Sequence, residues 1–337
     1  MKAVAYQQSL PIDHPDALQD VDVSKPQAGG RDLLVDIKAV SVNPVDTKVR
    51  RGSAPPAGEW KVLGWDAAGV VAAIGPEVTG FKPGDRVWYA GSIARPGTNS
   101  EFHLVDECIV GRMPQSLDFD QAAALPLTAI TAWEMLFDRL GITPGKQPRQ
   151  ATLLIVGAAG GVGSIMVQLA RRLTNLRVIG TASRPETAAW VKELGAHEVI
   201  DHGKPISQEL TRIGVPQVEY AVSLNQTDAH FAEIVEAIAP QGKFGLIDDP
   251  KEVNVALLKR KSISLHWEFM FTRSLFTTPD IAVQGQLLGE LADLVDSRLI
   301  RTTVGENFGA INAANLKRAH ALLESGQARG KIVLAGF

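Results

Sequence analysis

The stretch TLLIVGAAGGVGSIMVQLA, from Thr152 to Ala170, runs an apolar β-type segment straight into a turn of small residues and then into a helical pattern. Side chains are missing at the point where strand becomes helix. Two physical causes account for such a gap. One is close packing of helix on strand. The other is a negatively charged group approaching the unpaired N–H groups at the helix start, where the helix dipole also favours an anion. Either cause requires a strand–turn–helix unit, and that requirement constrains the fold more than any other feature of the chain.

From Thr152 onward the pattern repeats. Short Val/Ile/Leu runs (TLLIV, RVIGTA, HEVID, VEYAVSL, KFGLI) alternate with helical segments (GSIMVQLARRL, PETAAWVKELG, ISQELTRI, TDAHFAEIVEAIAP). Apolar runs without polar alternation indicate strands buried on both faces, as in a parallel sheet. The alternation predicts an α/β chain with a doubly wound parallel sheet. SISLHWEFMF reads as a further strand, IAVQGQLLGELADLVDS as one long helix, and INAANLKRAHALLESGQARGKIVLAGF as a helix, a turn and a last strand. The N-terminal part is β-rich, with LLVDIKAVSV, AAGVVAAIG, DRVWYAG and EFHLVDE separated by Gly, Pro and Asn signals. The last strand suits that β-rich part better than the parallel sheet. A discontinuous domain of residues 1–122 and 298–337 is therefore expected around an α/β domain of residues 123–297.

The 337 residues are 45% hydrophobic and 21% charged, enough apolar material for two domains. A net charge of −3 gives no reason to expect nucleic acid or an anionic membrane as partner. No apolar run approaches the ~20 residues that span a bilayer, and MKAVAYQQSL is wrongly flanked for a signal peptide. One cysteine, Cys108, excludes an internal disulfide and argues against a Cys-based metal cage; it reads as a buried small residue. The seven histidines show no H-x-x-x-H spacing. Together these suit a cytoplasmic protein.

In the G-x-G-x-x-G turn of dinucleotide sites the three glycine places fall here on Ala158, Gly160 and Gly163, with Gly161 and Val162 between the last two. The middle glycine lets the backbone approach a pyrophosphate and the third lets the helix close on the strand. Alanine at the first place is a small departure. An NAD site usually carries Asp or Glu about 20 residues past the loop, but RVIGTASRPET offers Ser183 and Arg184. A carboxylate would repel a 2′-phosphate, whereas a hydroxyl and a guanidinium suit it. NADPH is therefore the expected cofactor; the alternative is that Arg184 merely precedes the helix opened by Pro185 and faces solvent. Ser223, Leu224, Ile247 and Asp248 follow later strands and are expected to border the nicotinamide ribose, because open α/β sheets bind ligands outside strand C-termini.

LGWDAAGVVAAIGPEVTGFKPGDRVWYAG, PLTAITAWEML and IVGAAGGVGSIMVQLA together resemble the medium-chain dehydrogenase/reductase superfamily, and within it the zinc-free quinone oxidoreductase and enone reductase branch. SRPETAAWVKELGAHEVIDHGKP and LIDDP…KRKSISLHWEFMFTRSLF are similar to a bacterial subgroup labelled zinc-type alcohol dehydrogenase-like. The resemblance implies a Rossmann domain joined to a GroES-like β-barrel domain. It also implies a cofactor cleft and a homodimer joined through Rossmann sheet edges, with SISLHWEF as the edge used. It places Thr128 at the nicotinamide end and puts His202 where a Tyr often stands near the adenosine phosphate.

Zinc-dependent relatives hold their metal with a Cys, a His-Glu pair and a second Cys. The matching places here read SVNPVD and Gly64-Trp65-Asp66, with no cysteine. Those types do not close tetrahedrally on zinc, so no metal is expected and Trp65 would fill the pocket with an indole. Hydride addition to an α,β-unsaturated carbonyl or a quinone remains feasible if a donor stabilises the developing oxyanion. Asn43, Asp46 and Lys48 are the candidate donors, aimed by an irregular turn after Pro44; similar segments of plant enone and quinone reductases line the substrate pocket. The alternative is a short helix with Lys48 on its surface and Asp46 as its partner. Phe269 and Met270 either close the pocket or pack in the core. Lys331 is either a surface charge or a cofactor neighbour. The expected activity is an NADPH-dependent, metal-free quinone or enone oxidoreductase. A zinc-type alcohol dehydrogenase and a non-catalytic NADPH-binding protein are the rivals.

Overall fold

The computed structural model describes residues 1–337. The chain forms two compact units, Met1–Ile130 with Phe271–Phe337, and Thr131–Met270. Where the sequence division places its second junction at residue 298, the structure has the chain re-enter the first unit at Phe271. The reason is the helix Val283–Asp296, which packs on residues 107–112 of that unit.

The first unit opens with β1 (Lys2–Tyr6), β2 (Gln19–Asp22), β3 (Asp32–Val42), α1 (Pro44–Gly52), β4 (Lys61–Val62), β5 (Asp66–Ile74) and β6 (Arg86–Ala90). It continues with β7 (Phe102–Asp106), β8 (Val110–Arg112), α2 (Phe119–Ala123) and α3 (Pro126–Trp133), the division falling within α3 after Ile130. The second unit holds a π-helical turn at Glu134–Arg139, then β9 (Thr152–Val156), α4 (Gly161–Leu173), β10 (Arg177–Thr181), α5 (Pro185–Glu193) and β11 (Glu198–Ile200). After these come α6 (Ile206–Arg212), β12 (Val218–Ser223), α7 (Thr227–Ala237), β13 (Ile238–Leu246), α8 (Ala256–Lys259) and β14 (Ser264–Trp267). The first unit resumes with α9 (Thr272–Phe276), α10 (Val283–Asp296), β15 (Val304–Asn307), α11 (Ala313–Glu324) and β16 (Lys331–Ala335).

In the first unit β3 is the organising strand. It pairs antiparallel with β5, β7 and β16, in a sheet ordered β15-β16-β3-β5-β6-β8. A second sheet has the order β2-β1-β4. The C-terminal strand therefore lies directly beside Ala39–Val42, with Ile332 opposite Val42.

The second unit is one parallel sheet ordered β11-β10-β9-β12-β13-β14. The first strand of the series lies inside and the direction of winding reverses beside it, which is the doubly wound Rossmann order. Leu153 to Val156 are all buried, consistent with helices covering both faces. Leu154, Ile179, Ala221, Ile234 and Phe244 meet in its core. Truncating a buried phenylalanine such as Phe244 costs about 3–5 kcal/mol. No helix in either unit is long and apolar enough to cross a membrane.

SISLHWEFMF is a strand only over Ser264–Trp267. It stops because Glu268 turns inward, 2% exposed, toward Glu134, which is fully buried. Arg139 of the π-helical turn donates to Glu268 Oε2 at 2.7 Å and lies 3.4 Å from Glu134 Oε2. One guanidinium thus serves two buried carboxyls. Burial and the neighbouring Glu134 push Glu268 up to about 9, so the pair keeps a proton at neutral pH. A carboxyl raised in the native state contributes stability that is complete below pH ~4.5 and drains away as the pH climbs toward 9. Glu134→Gln leaves Glu268 an amide donor and Arg139. We expect this variant to be more stable than the parent by about 1–2 kcal/mol at pH 8.5 and equal to it at pH 5, as measured by urea unfolding at both values.

Candidate functional site

In the first unit the sequence-selected segment 41–48 is not an irregular turn. Pro44 starts α1 at once, because Asn43 and Asp46 form a capping box: Asp46 Oδ2 accepts from the Asn43 N–H at 2.6 Å. Lys48 lies on the exposed face of that helix. Asn43 and Asp46 are each only 1% exposed.

Lys331, left open by the sequence, is buried, and its ammonium organises this region. It donates to Asn43 Oδ1 and to Val42 O at 3.1 Å, and stands 3.1 Å from Asp66 Oδ2. Asp66, fully buried, also accepts from Asn43 Nδ2 (3.2 Å), Ser41 Oγ (3.3 Å) and the Leu127 N–H (3.2 Å). Burial pushes the Asp66 carboxyl up and the Lys331 ammonium down, while their mutual attraction opposes both shifts. Four donors converging on one carboxylate favour the ionised pair. Burial also raises Asp46 to about 7, against the Asn43 hydrogen bond, and its Oδ1 has no partner.

This network changes the part open to Asn43. Both ends of its amide are engaged within the protein, so it supports neighbouring groups instead of presenting a donor. Trp65 is buried edge-on against Phe271 at a centroid distance of 6.1 Å, and its indole N–H has no acceptor. Thr128 sits in the first turn of α3 with its hydroxyl donating to Leu125 O at 3.1 Å. Zinc does not fit the Asn43, Trp65 and Asp66 places. An amide held by an ammonium, an indole and an ion-paired carboxylate are not a thiolate–imidazole set, and no group of three or more His, Cys, Asp and Glu gathers elsewhere. Cys108 is half-buried, not fully buried as its composition-based reading expects, because it lies on the surface turn Glu107–Ile109.

In the second unit the Gly-rich turn joins β9 to α4. A Cβ on Gly163 would stand 2.5 Å from both Ala158 Cα and Gly157 O, so helix and strand meet too closely for any side chain. At Gly160, the residue before the first turn of α4, a Cβ would meet nothing nearer than Gly157 O at 3.5 Å. The Gly160 side is open, and the first-turn N–H groups of Gly161, Val162 and Gly163 have no intrahelical partner. These residues fit a pyrophosphate. Ser183 is exposed at the end of β10, and Arg184 pairs with Glu186 at 3.3 Å. His202 Nδ1 lies 3.1 Å from Thr181 Oγ1, which in turn accepts from the Gly157 N–H.

At the ends of β12 and β13, Leu224 N–H donates to Val156 O and Ile247 N–H to Ser223 O. Asp248 caps α7 through Thr227, whose Oγ1 also lies 2.8 Å from Ser223 Oγ. Asp248 thus has a structural task that the sequence reading missed. Beyond β14, Phe269 is 47% exposed while Met270 is buried. Thr181, Thr227, His230 and the Glu134–Glu268 pair were not singled out from sequence, since each gains meaning only from a partner on another element.

The ion pair makes a sharp expectation. Lys331→Met strands a buried carboxylate and should cost about 3–5 kcal/mol in urea unfolding. Adding Asp66→Asn should restore at least half of the loss, because the amide needs no counter-charge. Equal losses in the single and double variants would contradict the pairing.

Two family models match the chain: an alcohol dehydrogenase GroES-like domain at residues 29–115 and a zinc-binding dehydrogenase at residues 194–334. A zinc-type alcohol dehydrogenase-like protein of Staphylococcus aureus is 37% identical over 338 residues, covering 99% of each chain. A quinone oxidoreductase of Pseudomonas aeruginosa is 32% identical over 329 residues, covering 95% of this chain and 96% of its own. A solved structure from Rhizobium etli, whose name places it among zinc-dependent alcohol dehydrogenases, matches with a TM-score of 0.97 at 58% identity over 100% of this chain and 98% of the other. The Escherichia coli quinone oxidoreductase complexed with NADPH matches with a TM-score of 0.84 at 26% identity, covering 99% and 100%. With its Rossmann sheet, its GroES-like segment and relatives alike over nearly their whole length, the chain belongs to the medium-chain dehydrogenase/reductase superfamily and is an oxidoreductase of that family.

Proposed function

We propose that the protein is an NADPH-dependent oxidoreductase that delivers hydride to a quinone or to the activated C=C bond of an α,β-unsaturated carbonyl without a metal. The observation that carries this reading is the donor set at Asn43, Trp65 and Asp66. Asp66, at one of the places that zinc-dependent relatives devote to a metal, is instead engaged by Lys331 at 3.1 Å. Without a Lewis acid, the alcohol–ketone interconversion loses its usual source of polarisation. Reduction of an already electron-poor acceptor needs only hydrogen-bond donors at the developing oxyanion.

When bound, the nicotinamide supplies the hydride. The chain's own part is to hold the pyrophosphate on Gly160–Gly163 and to meet the 2′-phosphate with Ser183, Arg184 and His202. Thr128, Ser223, Leu224, Ile247 and Asp248 are assigned to the nicotinamide end. For the acceptor we assign the indole N–H of Trp65, buried without an acceptor of its own, and the Lys48 ammonium as donors. Asn43 and Asp46 hold the start of α1 behind them, and Phe269 and Met270 border the substrate. Edge strand β14, whose last residue Trp267 is 52% exposed, is the edge we assign to a homodimer.

NADPH oxidation measured against a panel of enones and quinones tests the reading. Turnover should survive exhaustive treatment with a metal chelator. Trp65→Phe should lower kcat about a hundredfold, the scale of losing one oxyanion donor. Loss of activity on chelation, regained with zinc, would favour the alcohol dehydrogenase that several relatives are named for. Coenzyme binding without turnover of any acceptor would leave a binding protein.

A further inference from the structure

Two histidines stand together beside the coenzyme-binding turn. His202 follows β11, and its ring meets that of His230, on the second turn of α7, edge to face at a centroid distance of 6.0 Å. Both side chains are half-buried. Thr181 Oγ1 accepts the Gly157 N–H at 3.1 Å, so its single hydrogen is available to His202 Nδ1. That arrangement leaves the proton of a neutral His202 on Nε2, which has no acceptor in the protein. Neither ring nitrogen of His230 is bonded within the chain. Two imidazoles with unpaired nitrogens thus sit by the ends of β9, β10 and β11, whose order in the sheet makes them neighbours.

We propose that His202 and His230 together bind the 2′-phosphate of the coenzyme and that His230 is a specificity-determining residue, so that preference for the phosphorylated coenzyme grows as the pH falls. The proposal rests on the NADPH reading above. A phosphate dianion is matched by imidazolium, not by neutral imidazole, so binding takes up a proton. In the free protein burial lowers the His202 pKa, with the neighbouring His230 acting in the same direction and Asp201 opposing. Across the β10–α5 connection, the Arg184 charge is shared with Glu186. A bound dianion reverses the balance at His202 and stabilises charge on its ring.

Titration of coenzyme fluorescence with purified protein at pH 6.5, 7.2 and 8.0 tests this. Over that range the phosphate, with a second pKa of about 6, stays mainly dianionic. NADPH Kd should weaken about tenfold from pH 6.5 to 8.0, within the roughly thirtyfold that one linked proton allows over 1.5 pH units, while NADH Kd changes less than about twofold. His230→Phe should bind NADPH at pH 6.5 as weakly as the parent does at pH 8.0, with a flattened pH response and unaltered NADH binding. His202→Asn, which cannot take a charge, should flatten it likewise. A pH response as steep in His230→Phe as in the parent, or none in the parent while NADPH remains preferred, would overturn the proposal. NADH binding tighter than NADPH at every pH would instead overturn the reading beneath it.

Discussion

The contact on which the first unit depends is the buried ion pair between Lys331 and Asp66. It ties β16 to the end of β3 through Val42 and Asn43, to the first residue of β5 through Asp66, and to the start of α3 through the Leu127 N–H. Taking two charges out of water costs several kcal/mol per ion, and their attraction offsets this only when the remaining hydrogen-bonding positions are filled. Here they are: the carboxylate gathers four donors and the ammonium three acceptors. Such a pair adds little net stability over an apolar core, but it selects one register. Sliding β16 by one residue would turn the ammonium to the opposite face of the sheet and leave Asp66 charged and alone.

The second unit solves a related problem with the opposite charge balance. Glu134 and Glu268 bring two acids to one arginine, so the surplus is carried by a shared proton instead of a cation. Each arrangement marks one limit of a strand. Asp66 begins β5 and Glu268 terminates the run out of β14. In each case the position where the backbone enters or leaves the sheet is set by a buried polar group seeking its partners. That is also where the residues assigned to chemistry lie: Trp65 beside Asp66, Phe269 beside Glu268.

The legibility of the sequence followed the range of the interactions. The turn around Gly160 and Gly163 could be read because its requirement is local: no side chain fits where α4 closes on β9. The Rossmann sheet could be read because strands buried on both faces leave an unbroken apolar signature at TLLIV and RVIGT. The helix at 44–52 was legible in principle, since Asn43, Pro44 and Asp46 are a capping box with proline at its first position. Its reading as an irregular turn gave catalysis priority over capping. The place of Lys331 was not legible. Its partner Asn43 lies 288 residues away, and no spacing rule connects them. The same holds for His230 and for Glu268, whose neighbours come from other elements. The relatives' names illustrate the converse, because zinc-type labels belong to proteins similar to a chain whose own residues at those places do not suit zinc.

The reach of Lys331 bears on how the protein is made. A ribosome delivers β3, β5 and the start of α3 long before β16, so throughout most of translation Asp66 and Asn43 wait without the cation that completes their cage. The second unit, continuous in sequence, can consolidate meanwhile, whereas the first stays an unfinished barrel whose buried acid is uncompensated. The nascent first unit should therefore depend on chaperone shelter until its C-terminal strand emerges, and a message truncated even shortly before that strand would yield a product destined for degradation.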